Sequence, residues 1–278
     1  MKIVLFGASG KVGSALAGTL GARHEIVPFT SREIDAADLA AVRHAVESHR
    51  PEVVVNTVAF AGLDPCETDP SRAFLLNALL PRTLAGLSRT MGFVLVNYST
   101  DAVFNDEKRG QFYWEDDTPH PMNVYGMTKY AGDLFVSGAA ERYYTIRLGV
   151  VVGPSPKGNQ FFERMLRNAR DGRGPLRIAN DIYSAPTYSL DAAAVVADLI
   201  ETGKPFGLYH VANGGWASLY DLVAFAVKAL KIDVDIEPVS CRSFPSLAPK
   251  NTWTPLASRR IALRPWQEAV AQHCLTLS

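Results

Sequence analysis

Three glycines, each three residues beyond the last, sit where a strand-like run gives way to a helix-like one. Lys2–Phe6 is short and apolar, Val12–Leu20 has helical periodicity, and between them lies Gly7-Ala8-Ser9-Gly10-Lys11-Val12-Gly13. The first glycine permits a tight turn, the second lets backbone approach a ligand, and the third lets helix pack closely on strand. The N–H groups opening such a helix face outward toward negative charge, which a pyrophosphate supplies. A lone glycine pattern is weak evidence, but here it has the strand–turn–helix setting that dinucleotide binding requires. Gly7, Ser9, Gly10, Lys11, Val12 and Gly13 are the first cofactor-binding candidates.

The same rhythm continues through the first half of the chain. His24–Phe29 reads as a second strand, and Ala36–Ser48 as a helix with Leu39, Val42 and Val46 on one face. Val53–Asn56 is apolar on both faces, as a strand buried in a parallel sheet should be. Pro70–Ser88 reads as helix, Phe93–Asn97 as strand, Pro121–Ser137 as helix and Tyr144–Arg147 as strand. Alternation of this kind predicts an α/β fold built on a Rossmann-type, doubly wound parallel sheet with right-handed crossovers. After Gly153 the rhythm loosens, with Gly/Pro turns at 153–156 and 171–175 and helices expected near Phe161–Arg170, Leu190–Glu201, Leu219–Leu230 and Pro265–His273. The expected organisation is a dinucleotide-binding domain over 1–152, rejoined by a segment near 188–203. A smaller C-terminal α/β substrate lobe over 153–278 would close over the strand ends.

Composition removes several other classes. With 278 residues, 47% hydrophobic and 20% charged, wholesale disorder is excluded. Lys+Arg 28 against Asp+Glu 28 leaves no excess cation to displace counterions from nucleic acid. No run approaches the roughly 20 apolar residues of a membrane span, and the opening apolar run is too short for a signal peptide. Cys66, Cys241 and Cys274 are widely spaced and odd in number, and the histidines are scattered, so neither a disulfide framework nor a metal site is expected. A reducing, cytoplasmic setting without nucleic-acid or membrane partners follows as the expectation.

An acidic residue at the end of the second strand would select NAD through the ribose 2′-hydroxyl. Here the chain reads Phe29-Thr30-Ser31-Arg32-Glu33, in which Ser31 and Arg32 suit a 2′-phosphate, favouring NADPH over NADH. Asp35 can accept from an adenine amino group or cap the following helix, and Ala59 lies just beyond the third strand. Further on, Tyr125-Gly126-Met127-Thr128-Lys129 places a phenol and an ammonium at i and i+4 on one helix face. A free tyrosine titrates near 10, and a nearby cation would bring it toward the range useful for proton transfer. Upstream, Tyr98-Ser99-Thr100-Asp101 follows the fourth strand, where Thr100, with Ser99 next to it, can donate to a carbonyl oxygen that gains charge.

These landmarks resemble the extended short-chain dehydrogenase/reductase superfamily, and within it the dTDP-4-dehydrorhamnose reductase family. The resemblance runs nearly end to end. It includes Arg50-Pro51-Glu52-Val53-Val54-Val55-Asn56, Asp64-Pro65-Cys66-Glu67, Asn77-Ala78, Ser99-Thr100-Asp101-Ala102-Val103-Phe104, Asn123-Val124-Tyr125-Gly126, Ala185-Pro186-Thr187 and Pro249-Lys250-Asn251-Thr252. It implies reduction of the 4-keto group of a nucleotide-linked 6-deoxysugar by NAD(P)H. Tyr125 would supply the proton, Lys129 would hold the cofactor and tune the phenol, and Thr100 would polarise the carbonyl. It also implies that Asp101 touches sugar hydroxyls and that Asn159, Phe161, Lys250 and Asn251 meet the base and diphosphate. A homodimer is offered only by analogy.

Four departures fall where the resemblance implies the sugar pocket. Ala102 stands where the family writes tyrosine, Val150 where it writes tryptophan, and Ile182 and Ser184 where it writes glutamine and glycine. Losing an amide weakens discrimination for a sugar hydroxyl. The hydride machinery is intact while the sugar pocket is altered, which implies a different keto sugar or another orientation. An epimerase of the same superfamily, or a non-catalytic sugar-nucleotide-binding subunit, is the competing reading.

Overall fold

Runs of β-branched and aliphatic residues form the centre of the protein because both of their faces find cover. The computed structural model describes residues 1–277. Its first half contains β1 (Lys2–Phe6), α1 (Lys11–Gly21), β2 (Glu25–Phe29), α2 (Leu39–His49), β3 (Val53–Asn56), α3 (Leu63–Thr68), α4 (Pro70–Phe74), α5 (Leu80–Met91), β4 (Val94–Thr100), α6 (Val124–Ala139) and β5 (Tyr143–Leu148). The second half contains β6 (Val151–Val152), α7 (Phe161–Arg170), β7 (Leu176–Ala179), β8 (Tyr183–Ser184), β9 (Thr187–Tyr188), α8 (Ser189–Thr202), β10 (Gly207–His210), β11 (Ala217–Ser218), α9 (Leu219–Ala229), β12 (Ile236–Val239) and α10 (Trp266–Leu275). Six strands form one parallel sheet in the order β2-β1-β3-β4-β5-β10. Alternate residues sort to opposite faces. Ile3, Leu5, Val53 and Val55 pack with Leu16 and Leu20 of α1 and Ala193 and Val196 of α8. Val4, Phe6 and Val54 pack on the other face with Val42 and Val46 of α2 and Leu80 and Leu84 of α5.

The chain runs from β1 outward to β2, then crosses back to β3 on the other side of β1. Winding therefore reverses between β1 and β3, and a crevice opens beyond their carboxyl ends. After β9 the chain returns to the sheet, adding α8 to one face and β10 to its edge. A separate core forms from Phe162 and Leu166 of α7, Leu222 and Val223 of α9, and Trp266 and Val270 of α10. Around it run three two-stranded ladders, β6–β9, β7–β12 and β8–β11, whose strands are too short to show a period in sequence. The helix expected over Pro70–Ser88 is instead α4, a π-helical turn at Leu75–Leu79, and α5. Likewise α2 begins at Leu39 rather than Ala36, because the Asp38 carboxylate accepts from the N–H groups of Ala40 and Ala41 and caps it there. Among the described residues no helix is long and apolar enough to cross a membrane.

Candidate active site

Gly7 turns the chain with φ +82°, a conformation that favours glycine. Gly13 is fixed by crowding, since a Cβ there would lie 2.2 Å from the Gly7 carbonyl oxygen. Gly10 caps α1 with its backbone and has no side chain to cover the first N–H groups. The loop so shaped forms one wall of a crevice of about 770 Å³. Phe6, Gly7, Ser9, Gly10, Lys11, Val12 and Gly13 line it, as do Ser31, Asp35 and Ala59 from the strand ends. A side-chain-free cradle at a helix N-terminus, at the winding reversal, fits a dinucleotide. Thr57, Val58, Arg72, Leu76, Val151, Lys157 and Gln160 also line the crevice and were not singled out in sequence. Thr57 and Val58 were within reach because they follow β3 directly, as Ala59 does. Arg72 and Lys157 carry no local signal, since only the fold brings α4 and the segment before α7 to this wall.

The second group of residues gathers two strands away, at the end of β4. Three devices fix the start of α6 against it. Asn123 caps the helix through Gly126 N–H at 2.9 Å, and Glu67 accepts the Val124 N–H at 2.9 Å. Gly126 packs so closely that a Cβ would stand 2.2 Å from the Ala102 carbonyl oxygen. This seating places the Tyr125 phenol beside the Thr100 hydroxyl, near enough for the hydroxyl to favour phenolate. Burial, aided by the Asp101 carboxylate, outweighs that influence and pushes the phenol up to about 12. Lys129, one turn along, is buried and donates to the Tyr98 carbonyl at 2.5 Å. Burial pulls its ammonium down to about 8, although Asp133 favours the charge. The expected lowering of Tyr125 by Lys129 is therefore corrected: the ammonium is committed to Tyr98, and burial dominates the phenol. Ser99, beside Thr100, is buried with an unpartnered hydroxyl.

The model of the RmlD substrate binding domain matches residues 1–277 of the chain. A dTDP-4-dehydrorhamnose reductase of Mycolicibacterium smegmatis is 34% identical over 277 residues, covering 97% of this chain and 84% of that protein. The chain belongs to the dTDP-4-dehydrorhamnose reductase family. A crystal structure of a dTDP-4-dehydrorhamnose reductase from Clostridium acetobutylicum superposes with TM-score 0.93 at 28% identity, covering 100% of this chain and 99% of that one. A second from Bacillus anthracis, in complex with NADP, superposes with TM-score 0.93 at 27% identity, covering 99% of each.

Several residues that the sequence puts on ligands, by the family resemblance or by their place in the chain, are engaged elsewhere. Asp101 accepts from Ser184 and Thr254 hydroxyls at 2.7 Å each, and from Thr100 at 3.2 Å. Its carboxylate thus clamps β4 to the second lobe instead of standing open for a sugar, and burial pushes it above its usual range. Lys250 donates to the carbonyls of Cys241 at 2.7 Å and of Phe244, so its charge closes a loop rather than meeting a diphosphate. Asn251 donates to the Phe104 carbonyl at 2.6 Å and accepts from Asn123 at 2.8 Å, bracing the residue that caps α6. Phe161 packs against the second-lobe core, and Asn159 is exposed just before α7. Arg32 is exposed and does not line the crevice, because Thr30 and Glu33 bond each other and fold the loop on itself. Asp35 does line it, but its carboxylate accepts the Ala37 N–H at 3.0 Å, leaving the cap of α2 to Asp38. Lys11 is turned from the phosphate position by an ion pair with Glu163.

Proposed function

We propose that this protein reduces the 4-keto group of a dTDP-linked 6-deoxysugar with NADPH, or NADH, as the reductant. The juxtaposition of Tyr125 with Thr100, one helical turn from Lys129, carries the reading. When bound, the reduced nicotinamide supplies the hydride. The phosphate loop and the N-terminus of α1 hold the dinucleotide by backbone N–H groups, with Ser9, Ser31, Ala59, Arg72 and Lys157 along the crevice. Thr100 donates to the substrate carbonyl oxygen and stabilises the charge that develops on it. A phenol held near 12 is protonated at neutral pH, and in that state Tyr125 delivers its proton to the oxygen. Lys129 fixes the end of β4 through the Tyr98 carbonyl and presents its charge beside the phenol's helix face. Ser99, with its free hydroxyl, completes the substrate contacts at the strand end. The second lobe, over 153–278 apart from the returning α8 and β10, receives the nucleotide. The setting we infer is cytoplasmic, supported by the odd count and wide spacing of the cysteines.

The altered residues 102, 150, 182 and 184 favour a keto sugar other than the one the family's name describes. The test is NADPH oxidation across a panel of dTDP-4-keto-6-deoxysugars. At least one should be turned over, and Tyr125→Phe should lower kcat by about 10²–10⁴-fold with nucleotide binding retained. Binding of the panel without cofactor oxidation by the wild type would support the non-catalytic reading instead.

A further inference from the structure

Lys11 is the first residue of α1 and belongs to the glycine loop, where a lysine side chain would ordinarily be assigned to a phosphate. Its ammonium instead lies 2.7 Å from Glu163 Oε1 and 2.8 Å from the Val151 carbonyl oxygen. The two side chains are 2% and 15% exposed, so this is an internal ion pair with little solvent screening. Glu163 lies in the first turn of α7, within the second lobe, and Val151 lies in β6, at the end of the sheet domain. His273 of α10 lies close enough to feel both charges. Lys157 and Gln160 of that lobe line the same crevice as Gly10, Lys11 and Val151. The phosphate loop and one wall of the substrate lobe are thus joined at a buried ion pair.

We propose that Lys11 and Glu163 are positioning residues, a bolt that sets α7 and β6 against the phosphate loop, and that Lys11 is not a phosphate ligand. This rests on the reading that the crevice takes NADP(H). With Lys11 removed, Glu163 is left as a partnerless carboxylate behind the crevice wall, which both loosens the lobe and repels phosphate. Removing both partners eliminates that lone charge. The experiment measures NADPH affinity by fluorescence titration for the wild type, Lys11→Met, Glu163→Ala and the double variant, with KM for the nucleotide sugar alongside. Lys11→Met should weaken NADPH by about tenfold and Glu163→Ala by about threefold, and the double variant should bind better than Lys11→Met, because the two losses share one interaction. KM for the nucleotide sugar should rise in both single variants, while kcat changes less. A phosphate-binding Lys11 predicts the opposite pattern: Glu163→Ala tightens NADPH, and Lys11→Met and the double variant are equally weak. Should Lys11→Met not fold, the sign of the Glu163→Ala change alone decides between them. If the wild type fails to bind NADPH, the functional reading falls; if it binds with the opposite pattern, only the bolt falls.

Discussion

Tyr125 and Lys129 share a helix face but titrate in opposite directions, both because they are buried. Burial disfavours the charged form, which is phenolate for one and ammonium for the other. At about 12 the phenol keeps its proton throughout the working range, while at about 8 the ammonium loses its charge within it. The sign follows: in the proposed mechanism reduction uses a protonated Tyr125 and a charged Lys129, and raising pH removes the second long before the first. A pH profile of kcat/KM taken from roughly pH 6 to 10 should fall with an apparent pKa near 8. A profile flat to pH 10 would assign the limiting proton elsewhere.

At the scale of elements, α6 matters for where it is pressed. Gly126 lets it lie directly on the 3₁₀ turn Asp101–Val103 that follows Thr100. On its other side Gly132 packs against the Asn77 carbonyl, with a Cβ position 2.3 Å away, inside the π-helical turn between α4 and α5. The Asn77 side chain in that turn pairs with both backbone groups of Phe60 and donates to Thr128 at 3.1 Å, so turn, crevice loop and α6 form one unit. Such π turns recur where a functional side chain must be aimed. Gly126→Ala should lower stability by about 1–3 kcal/mol, the usual cost of overpacking. It should lower kcat by about 10²-fold, because Tyr125 is displaced from Thr100. Thermal unfolding read against turnover separates the two effects, and a loss confined to stability would mean that helix seating does not set the chemistry.

Across the whole molecule, the lobes meet through polar side chains supplied by the sheet domain. Asp64, before α5 in the chain and far from the second lobe in sequence, accepts from the Ser246 hydroxyl at 2.6 Å and from the N–H groups of Leu247 and Ala248 at 2.9 and 3.1 Å. Asp101 and Lys11 make further links, as do Asp106 with the N–H groups of Thr252 and Trp253 and Asn123 with Asn251. These bonds hold the Asp64 carboxyl below its usual range, with Ser246 the largest influence. Asp64→Ala should free the 246–248 loop without unfolding the sheet. Amide exchange at Leu247 and Ala248 should quicken by at least about tenfold, as local opening separates from global opening. KM for the nucleotide sugar should rise with it; unchanged exchange at both amides would show that the loop is held by other means.

The sheet domain was legible because its signals are local. Strand, glycine turn and periodic helix recur within about 30 residues, and each constrains its own backbone. Thr100, Tyr125 and Lys129 could be named as candidates for the same reason, from i, i+4 spacing and from a strand's end, while the roles proposed for them rest on the resemblance. The sequence alone determined the alternation of strand, turn and helix in the sheet domain and which side chains could carry chemistry. Which charged groups remain free was decided only by the tertiary structure. Lys11, Lys250, Asp101 and Asn251 look like ligand contacts in the chain, yet each is taken by a partner 9 to 153 residues away. Arg72 and Lys157 look like ordinary surface cations, yet both line the crevice. Hydrogen bonds and ion pairs across such separations leave no period or motif, so only the folded arrangement says where a charge ends up.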